Sequence, residues 1–379
     1  MIQRIIEHQI QEKLFQGKII TLIGARQTGK TTLLKKLMEN QQNPTIWLNA
    51  DEFDIKERFK NPTSTALKSL IGNNKLVMID EAQNIDEIGL ALKLLIDTYP
   101  EIQVIATGSS AFELQNKMNE PLTGRKFEFQ LYPFSYTELA NHTSELIEKR
   151  MLKHRLVFGS YPEVVNNLGN EIEVLKLLSD SYLYRDLLML DAIKKPEKLI
   201  KLLQALAYQL GNVVSYNEIG NLIGIDSKTV ESYIQLLEKS FVVFRLPSFS
   251  RNLRNELKAS KKIYFYDNGI RNALISSFQI LEGRQDIGAL WENYLVSEHL
   301  KRNNYAKFYG NTYFWRTKDK QEIDYVEEKD GKLSAYEFKW TDKKKHQITK
   351  TFTNAYPESK TAIIHSDNYE KFISQDVLR

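Results

Sequence analysis

Near the N-terminus, Gly24-Ala25-Arg26-Gln27-Thr28-Gly29-Lys30-Thr31 has the residue types and spacing that hold phosphate. The stretch reads G-x-x-x-x-G-K-[ST] between an apolar strand-like run, Lys18–Ile23, and a helix-like run, Thr32–Met38. That strand–loop–helix setting is what a phosphate-binding loop requires. Glycines let the backbone wrap so that successive N–H groups point at an anion, and the following helix N-terminus adds its dipole. Lys30 is then expected to reach the terminal phosphates and the Thr31 hydroxyl to ligate Mg²⁺. The expected nucleotide contacts are Gly24, Ala25, Arg26, Gln27, Thr28, Gly29, Lys30, Thr31 and Thr32. Arg26 is open to two readings, a phosphate contact or a cap on the neighbouring strand.

Such a loop needs a second carboxylate for Mg²⁺ and a base to orient the attacking water. Lys75-Leu76-Val77-Met78-Ile79-Asp80-Glu81-Ala82 supplies both, because an apolar strand ends in two acids at the carboxyl edge of a sheet. Asp80 is expected to act on Mg²⁺ and Glu81 on the water; the plain alternative is an acid pair favoured by a helix N-terminus. Thr107-Gly108-Ser109-Ser110 ends another strand-like run, where Ser109 is either a γ-phosphate sensor or an N-cap. Arg125, in Leu122-Thr123-Gly124-Arg125, is either an arginine finger or sensor, or half of a surface ion pair.

The elements that must position these residues are legible as alternating patterns. Strand-like runs at Lys18–Ile23, Thr45–Leu48, Lys75–Ile79, Gln103–Thr107 and Lys126–Leu131 alternate with helical ones, clearest at Gly89–Thr98. This predicts an α/β fold with a parallel sheet, the run Gln103–Thr107 lying between the phosphate-loop strand and the acid-bearing strand. Strand signals then stop, and helices surround a Gly159-Ser160-Tyr161-Pro162 break. Leu199–Leu210, Ser215–Ile223 and Asp226–Lys239 read as three helices, with Ser215 and Asp226 as N-caps and a strand at Phe241–Leu246. That is the outline of a winged helix-turn-helix. From about Gly288 the pattern is helix, three strands, helix, strand. The expected domains are 1–140 (the phosphate-loop core), 141–195 (a helical extension), 196–285 (the winged-helix module and connector) and 286–379.

Composition narrows the field. The chain has 379 residues, 42% hydrophobic and 26% charged, with a net charge of +4. Without cysteine there are no disulfides, thiol nucleophiles or cysteine–zinc sites, and the six histidines lack zinc-ligand spacing. No apolar run approaches a bilayer span, and the first residues lack a signal-peptide layout, so a cytoplasmic protein without a membrane partner is expected.

Arg26-Gln27-x-Gly29-Lys30-Thr31-Thr32, Ile79-Asp80-Glu81-Ala82-Gln83, Thr107-Gly108-Ser109-Ser110 and Leu131-Tyr132-Pro133-Phe134-Ser135 resemble the AAA+-superfamily ATPases of bacteria and archaea that carry a C-terminal DUF4143 region. Gly159-x-Tyr161-Pro162-Glu163-Val164-Val165 and Tyr264-Phe265-Tyr266-Asp267-Asn268-Gly269 resemble that family's later landmarks. The resemblance spans nearly the whole chain. It implies an AAA+ ATPase module, a winged helix and a restriction-endonuclease-like α/β domain similar to PD-(D/E)xK nucleases at 286–379.

Asp324, Glu337 and Lys339 match the nuclease-like pattern, and Glu292 on the preceding helix adds a fourth group. Metal-dependent phosphodiester hydrolysis needs oxygen ligands on one surface and a cation or base near the attacking water. Glu337 and Lys339 are two apart on a strand and share a face; an ordinary half-buried strand has the same alternation. The expected cofactors are therefore ATP and Mg²⁺, with a second Mg²⁺ or Mn²⁺ at Asp324 and Glu337. Lys228, Arg251, Arg254, Lys258, Lys261 and Lys262 form the candidate DNA-contacting set. DNA and a second copy of the chain are the expected partners besides ATP. The competing reading is a nucleotide-dependent signalling or scaffolding switch whose C-terminal fold is a catalytically silent docking domain.

Overall fold

In a computed structural model, the described residues are 1–108, 122–183, 195–250, 260–341 and 347–374, with side chains described at all of these but 181–183. The chain divides into two units, Met1–Phe134 with Lys239–Phe241, and Ser135–Glu238 with Val242–Arg379.

Five strands build the first unit: β1 (Ile19–Ile23), β2 (Thr45–Asn49), β3 (Leu76–Asp80), β4 (Gln103–Gly108) and β5 (Lys126–Gln130). They pair in parallel in the order β2-β3-β4-β1-β5. The three inner strands are buried at every position, which is why their sequences are mainly apolar rather than alternating, with Thr21, Asp80, Gln103 and Thr107 the polar residues among them. β2 and β5, at the edges, are only partly buried. Crossovers run through helices such as Lys30–Glu39, Ser64–Ile71 and Ile88–Thr98. A helix not anticipated in the sequence, Ile5–Gln11, buries Ile6 and Ile10, and Glu7 pairs with Lys36 of Lys30–Glu39 at 2.7 Å.

The second unit opens with helices Tyr136–His142 and Glu145–Phe158, the first held by a Ser135–Glu138 capping box. Helices Pro196–Tyr208, Tyr216–Ile223 and Ser227–Lys239 follow. Ser215 caps the second by accepting from Glu218 N, and Asp226 Oδ1 accepts from Lys228 N and Thr229 N at 3.0 Å each. Beside them lies an antiparallel sheet, β6 (Val213–Val214), β7 (Val243–Pro247) and β8 (Lys261–Phe265), in the order β6-β8-β7. The sequence pattern did not predict β8, because its two lysines read as a solvated basic run.

The landmark segments around Gly159 and Asp267 meet. Asp267 Oδ2 accepts from Ser160 N at 2.7 Å, and Asn268 Nδ2 donates to Leu156 O at 3.2 Å. Helix Ile287–Tyr305 leads into β9 (Asn311–Arg316), β10 (Glu322–Lys329) and β11 (Lys332–Phe338), then helix Lys350–Ala355 and β12 (Lys360–Ile364). The sheet order is β12-β11-β10-β9, antiparallel except for β11 with β12. One of its faces packs Trp315, Ile323, Val326, Ala335 and Phe352. Among the described residues, no helix is long and apolar enough to cross a membrane.

Candidate functional site

β1, an inner and fully buried strand, ends at Ile23, and from Gly24 the chain runs into the loop that precedes helix Lys30–Glu39. A Cβ on Gly24 would lie 2.1 Å from Leu131 O, because Leu131 N extends the β1–β5 pairing by donating to Ile23 O at 2.8 Å. Close backbone packing thus requires glycine at position 24. Gln27 and Gly29 adopt positive φ, +58° and +95°, which curls the loop around its own centre. Thr28 Oγ1 donates to Ala25 O at 2.8 Å, and the buried Lys30 ammonium donates to Gly24 O at 2.9 Å and Ala25 O at 2.8 Å. Arg26, Gln27 and Thr32 lie exposed.

The apolar run of β3 ends in a hydrogen-bonded chain. Thr31 Oγ1 donates to Asp80 Oδ2 at 2.8 Å, and Thr107 Oγ1 donates to Asp80 Oδ1 at 2.5 Å. Glu81 N in turn donates to Thr107 Oγ1 at 3.2 Å. Glu81 sits at φ +52°, a conformation rare for a non-glycine residue, and its carboxylate accepts from Gln83 Nε2. Held this way, Thr31 and Asp80 offer a hydroxyl and a carboxylate side by side, a donor set that suits Mg²⁺. The structure therefore brings Lys30, Thr31, Asp80 and Glu81 into one neighbourhood at the carboxyl ends of β1 and β3.

Arg4 was not singled out by its sequence. The residue is 7% exposed, and its guanidinium donates to Thr28 O at 2.9 Å and Tyr132 O at 2.5 Å and lies 4.6 Å over the Phe134 ring. It fastens the phosphate loop to the segment after β5. The one available signal is an arginine set among Ile2, Ile5 and Ile6. Arg125, by contrast, is tied through Nε to Asp97 Oδ1 at 2.9 Å, with its side chain 42% exposed. That is the surface ion pair of the two readings, formed because the start of β5 lies beside the end of helix Ile88–Thr98. Ser109 lies outside the described residues.

The C-terminal candidates also converge, but in a different chemical state. Glu292 Oε1 accepts from the Lys262 ammonium at 2.8 Å and from Tyr264 OH at 2.6 Å. Lys262 also pairs with Glu322 at 2.5 Å. Asp324 Oδ2 accepts from Phe338 N at 2.7 Å, and Lys339 pairs with Glu337 at 2.7 Å. Burial, with the nearby Glu292 and Glu337 carboxylates, pushes the Asp324 carboxyl well above its ordinary range. Burial would lower the Lys262 ammonium, but Glu292, Asp324 and Glu322 outweigh it and raise it above the usual lysine value. Among the described residues, no group of three or more His, Cys, Asp or Glu side chains is placed to hold a metal ion. The second Mg²⁺ or Mn²⁺ expected at Asp324, Glu337 and Glu292 therefore does not fit this arrangement.

The expected DNA-contacting set needs the same correction at Lys262, which is 1% exposed and committed to two carboxylates. Lys261 is half-buried with its ammonium 5.8 Å from the Tyr216 ring, whereas Lys228 is exposed. Arg251, Arg254 and Lys258 lie outside the described residues.

Comparison with known proteins agrees with this geometry. Residues 16–140 match the model of the AAA domain, 149–280 a domain of unknown function, DUF8612, and 287–378 another, DUF4143. An uncharacterized protein of Mycobacterium tuberculosis is 25% identical over 341 residues, covering 88% of this chain and 73% of that protein. One of Methanocaldococcus jannaschii is 25% identical over 370 residues, covering 90% and 80%. Among solved structures, the Walker-type ATPase of Pyrococcus abyssi aligns with a TM-score of 0.50 at 16% identity, covering 73% of this chain and 96% of that one. At that identity the likeness concerns the fold.

Proposed function

We propose that this chain, whose residues 16–140 match the AAA domain and 287–378 the DUF4143 region, is an Mg²⁺-dependent ATP-hydrolysing enzyme whose nucleotide state controls residues 135–379. The observation that carries this reading is the hydrogen-bonded chain Thr31–Asp80–Thr107–Glu81 at the mouth of the phosphate loop. Loop N–H groups and the helix N-terminus attract the phosphates, and Lys30 moves from Gly24 O and Ala25 O onto them. Thr31 and Asp80 are the residues to hold Mg²⁺, which when bound supplies charge neutralisation to the phosphates. Glu81 accepts a proton from the water that attacks the γ-phosphorus, and the bond to the departing ADP oxygen breaks in line with it. The positive φ at Glu81 is a backbone outlier of the kind that clusters at functional sites, which supports this role.

The test is ATP turnover and nucleotide affinity in wild type, Glu81→Gln and Lys30→Ala. Glu81→Gln is expected to bind ATP and lose turnover by roughly 10²-fold or more, and Lys30→Ala to lose binding. Absence of turnover in wild type, with and without DNA, or equal turnover in Glu81→Gln, would refute the reading.

For residues 135–379, nucleic-acid contact through Lys228 and the basic residues Arg251, Arg254 and Lys258 is one proposal; metal-dependent cleavage is not part of it. The rival, a protein-docking switch, is favoured by the burial of Lys262, which removes a cation from the surface. DNA affinity measured across salt concentrations separates them: a steep fall with salt supports DNA contact, and no binding at low salt supports docking.

A further inference from the structure

Lys262 is the feature that the nucleotide chemistry leaves unexplained. Its side chain, 1% exposed, lies on β8, within the 149–280 segment. The carboxylates that receive it, Glu292 and Glu322, belong to the 287–378 segment. We propose that the Lys262 ammonium stands where a divalent cation would otherwise sit, so that the C-terminal carboxylate cluster binds no metal and serves to lock β8 onto the C-terminal sheet.

Three independent contacts place the ammonium there. Asn293, fully buried one residue beyond Glu292, accepts from Phe265 N at 2.8 Å and donates to Phe265 O at 3.1 Å, which fixes β8 against helix Ile287–Tyr305. Tyr264, also fully buried, donates its hydroxyl to the same Glu292 oxygen as Lys262. On the other side, the Phe314 ring lies 5.5 Å from the ammonium. Lys262 is therefore held by the packing of its strand as well as by its charge.

The charges agree with this reading. Four carboxylates, Glu292, Glu322, Asp324 and Glu337, gather with three cations, Lys262, Lys339 and Arg316, the last 3.5 Å from Glu322. A divalent ion would need oxygens about 2.0–2.6 Å from one centre with lone pairs to offer. Here Glu292 Oε1 already receives two donors, Asp324 Oδ2 receives a main-chain N–H, and Glu337 Oε1 receives Lys339 while its Oε2 is buried without a hydrogen-bond partner; among the described residues, no three acidic or histidine side chains are placed around one centre. An ammonium tethered to the chain gives the cluster its counter-charge without a diffusible ion. It also joins two segments that separate family models describe.

The experiment is calorimetric titration of the nucleotide-free, full-length chain with Mn²⁺, in wild type, Asp324→Asn, Lys262→Met and the double variant. Any Mn²⁺ taken at Thr31 and Asp80 is common to all four and cancels. Wild type and Asp324→Asn are expected to bind equally, and Lys262→Met to gain one equivalent that the double variant loses. A wild-type equivalent that Asp324→Asn abolishes would overturn the proposal. So would a folded Lys262→Met that gains nothing, since the cluster would then not be a cation site at all. If circular dichroism shows Lys262→Met unfolded, the first pair decides alone: equality supports the proposal and a difference overturns it. None of these readouts depends on ATP turnover, so failure here leaves the nucleotide reading untouched.

Discussion

Replacing Arg4 with methionine keeps the length of the side chain and removes the guanidinium that ties the phosphate loop to the segment after β5. Two hydrogen bonds are lost, to Thr28 O and Tyr132 O, with the stacking over Phe134. A hydrogen bond from a charged donor contributes roughly 1.5–3 kcal/mol, and the cation–π contact about 0.5–2 kcal/mol. Against this, the variant no longer has to desolvate a cation, and the methionine fills part of the space. The expected net loss is about 2–4 kcal/mol, carried by the first unit.

Because the chain has two units, a single melting curve would mix their transitions, so the readout is native-state hydrogen exchange at the β1 amides, Ile19–Ile23. Their protection should fall by roughly 30-fold or more, each 1.4 kcal/mol being a factor of ten. The loop now has to be ordered by the nucleotide itself, so ATP affinity should weaken by about five- to tenfold, roughly 1 kcal/mol. Arg4→Lys should recover part of the stability but not both bonds, since an ammonium lacks the planar fork. Unchanged β1 protection would refute the energetic argument. Lost protection with unchanged ATP affinity would refute the anchoring of the loop.

Gly24→Ala places a methyl 2.1 Å from Leu131 O, a backbone atom that cannot rotate away, so it should cost about 1–3 kcal/mol at β1 and weaken ATP binding together with it; loss of binding at full β1 protection would show that close packing is not the reason for this glycine. Arg125→Ala should change the stability of the first unit by less than ~0.5 kcal/mol, because its Asp97 pair is exposed, and chemical denaturation followed by exchange checks this. Asp286 is held down to about 2 from 3.8: burial opposes its charge, but Arg284 and Arg271 prevail. Its stabilising contribution, at most about 2 kcal/mol and less after solvent screening of a partly exposed carboxylate, is present above pH 4 and lost as pH falls through about 2, so the stability gap between wild type and Asp286→Asn should be wide at neutral pH and nearly closed at pH 2, as read by native-state hydrogen exchange at amides of the second unit across pH.

The inner strands were legible because parallel strands covered on both faces leave mainly apolar runs, and Leu76–Asp80 ends in its acids just where that run stops. The phosphate loop was legible because its chemistry is local: eight consecutive residues contain the turn, the lysine and the hydroxyl. Arg125 was not decidable from its neighbours, since Asp97 lies on another element. Lys262 was misread for a similar reason. In sequence, a lysine beside Lys261 looks solvated, and only the approach of Glu292 and Glu322 from a later helix and strand buries it. Arg4 belongs with these, an arginine whose acceptors are main-chain carbonyls far along the chain.

Two buried lysines show why the chain's two clusters of charged side chains differ in what they can do. Lys30 donates to two main-chain carbonyls, neutral groups that a charged phosphate outcompetes for the ammonium. Lys262 donates to two carboxylates, and displacing it would leave both, half-buried beside the buried Asp324, without their counter-charge. Breaking a fully buried pair costs roughly 3–5 kcal/mol; partial exposure of the two carboxylates lowers that cost here but does not remove it. The same residue type therefore makes one cluster responsive and the other rigid. The Lys262 pairs join residues 149–280 to 287–378, so under the functions proposed above these two segments would respond as one.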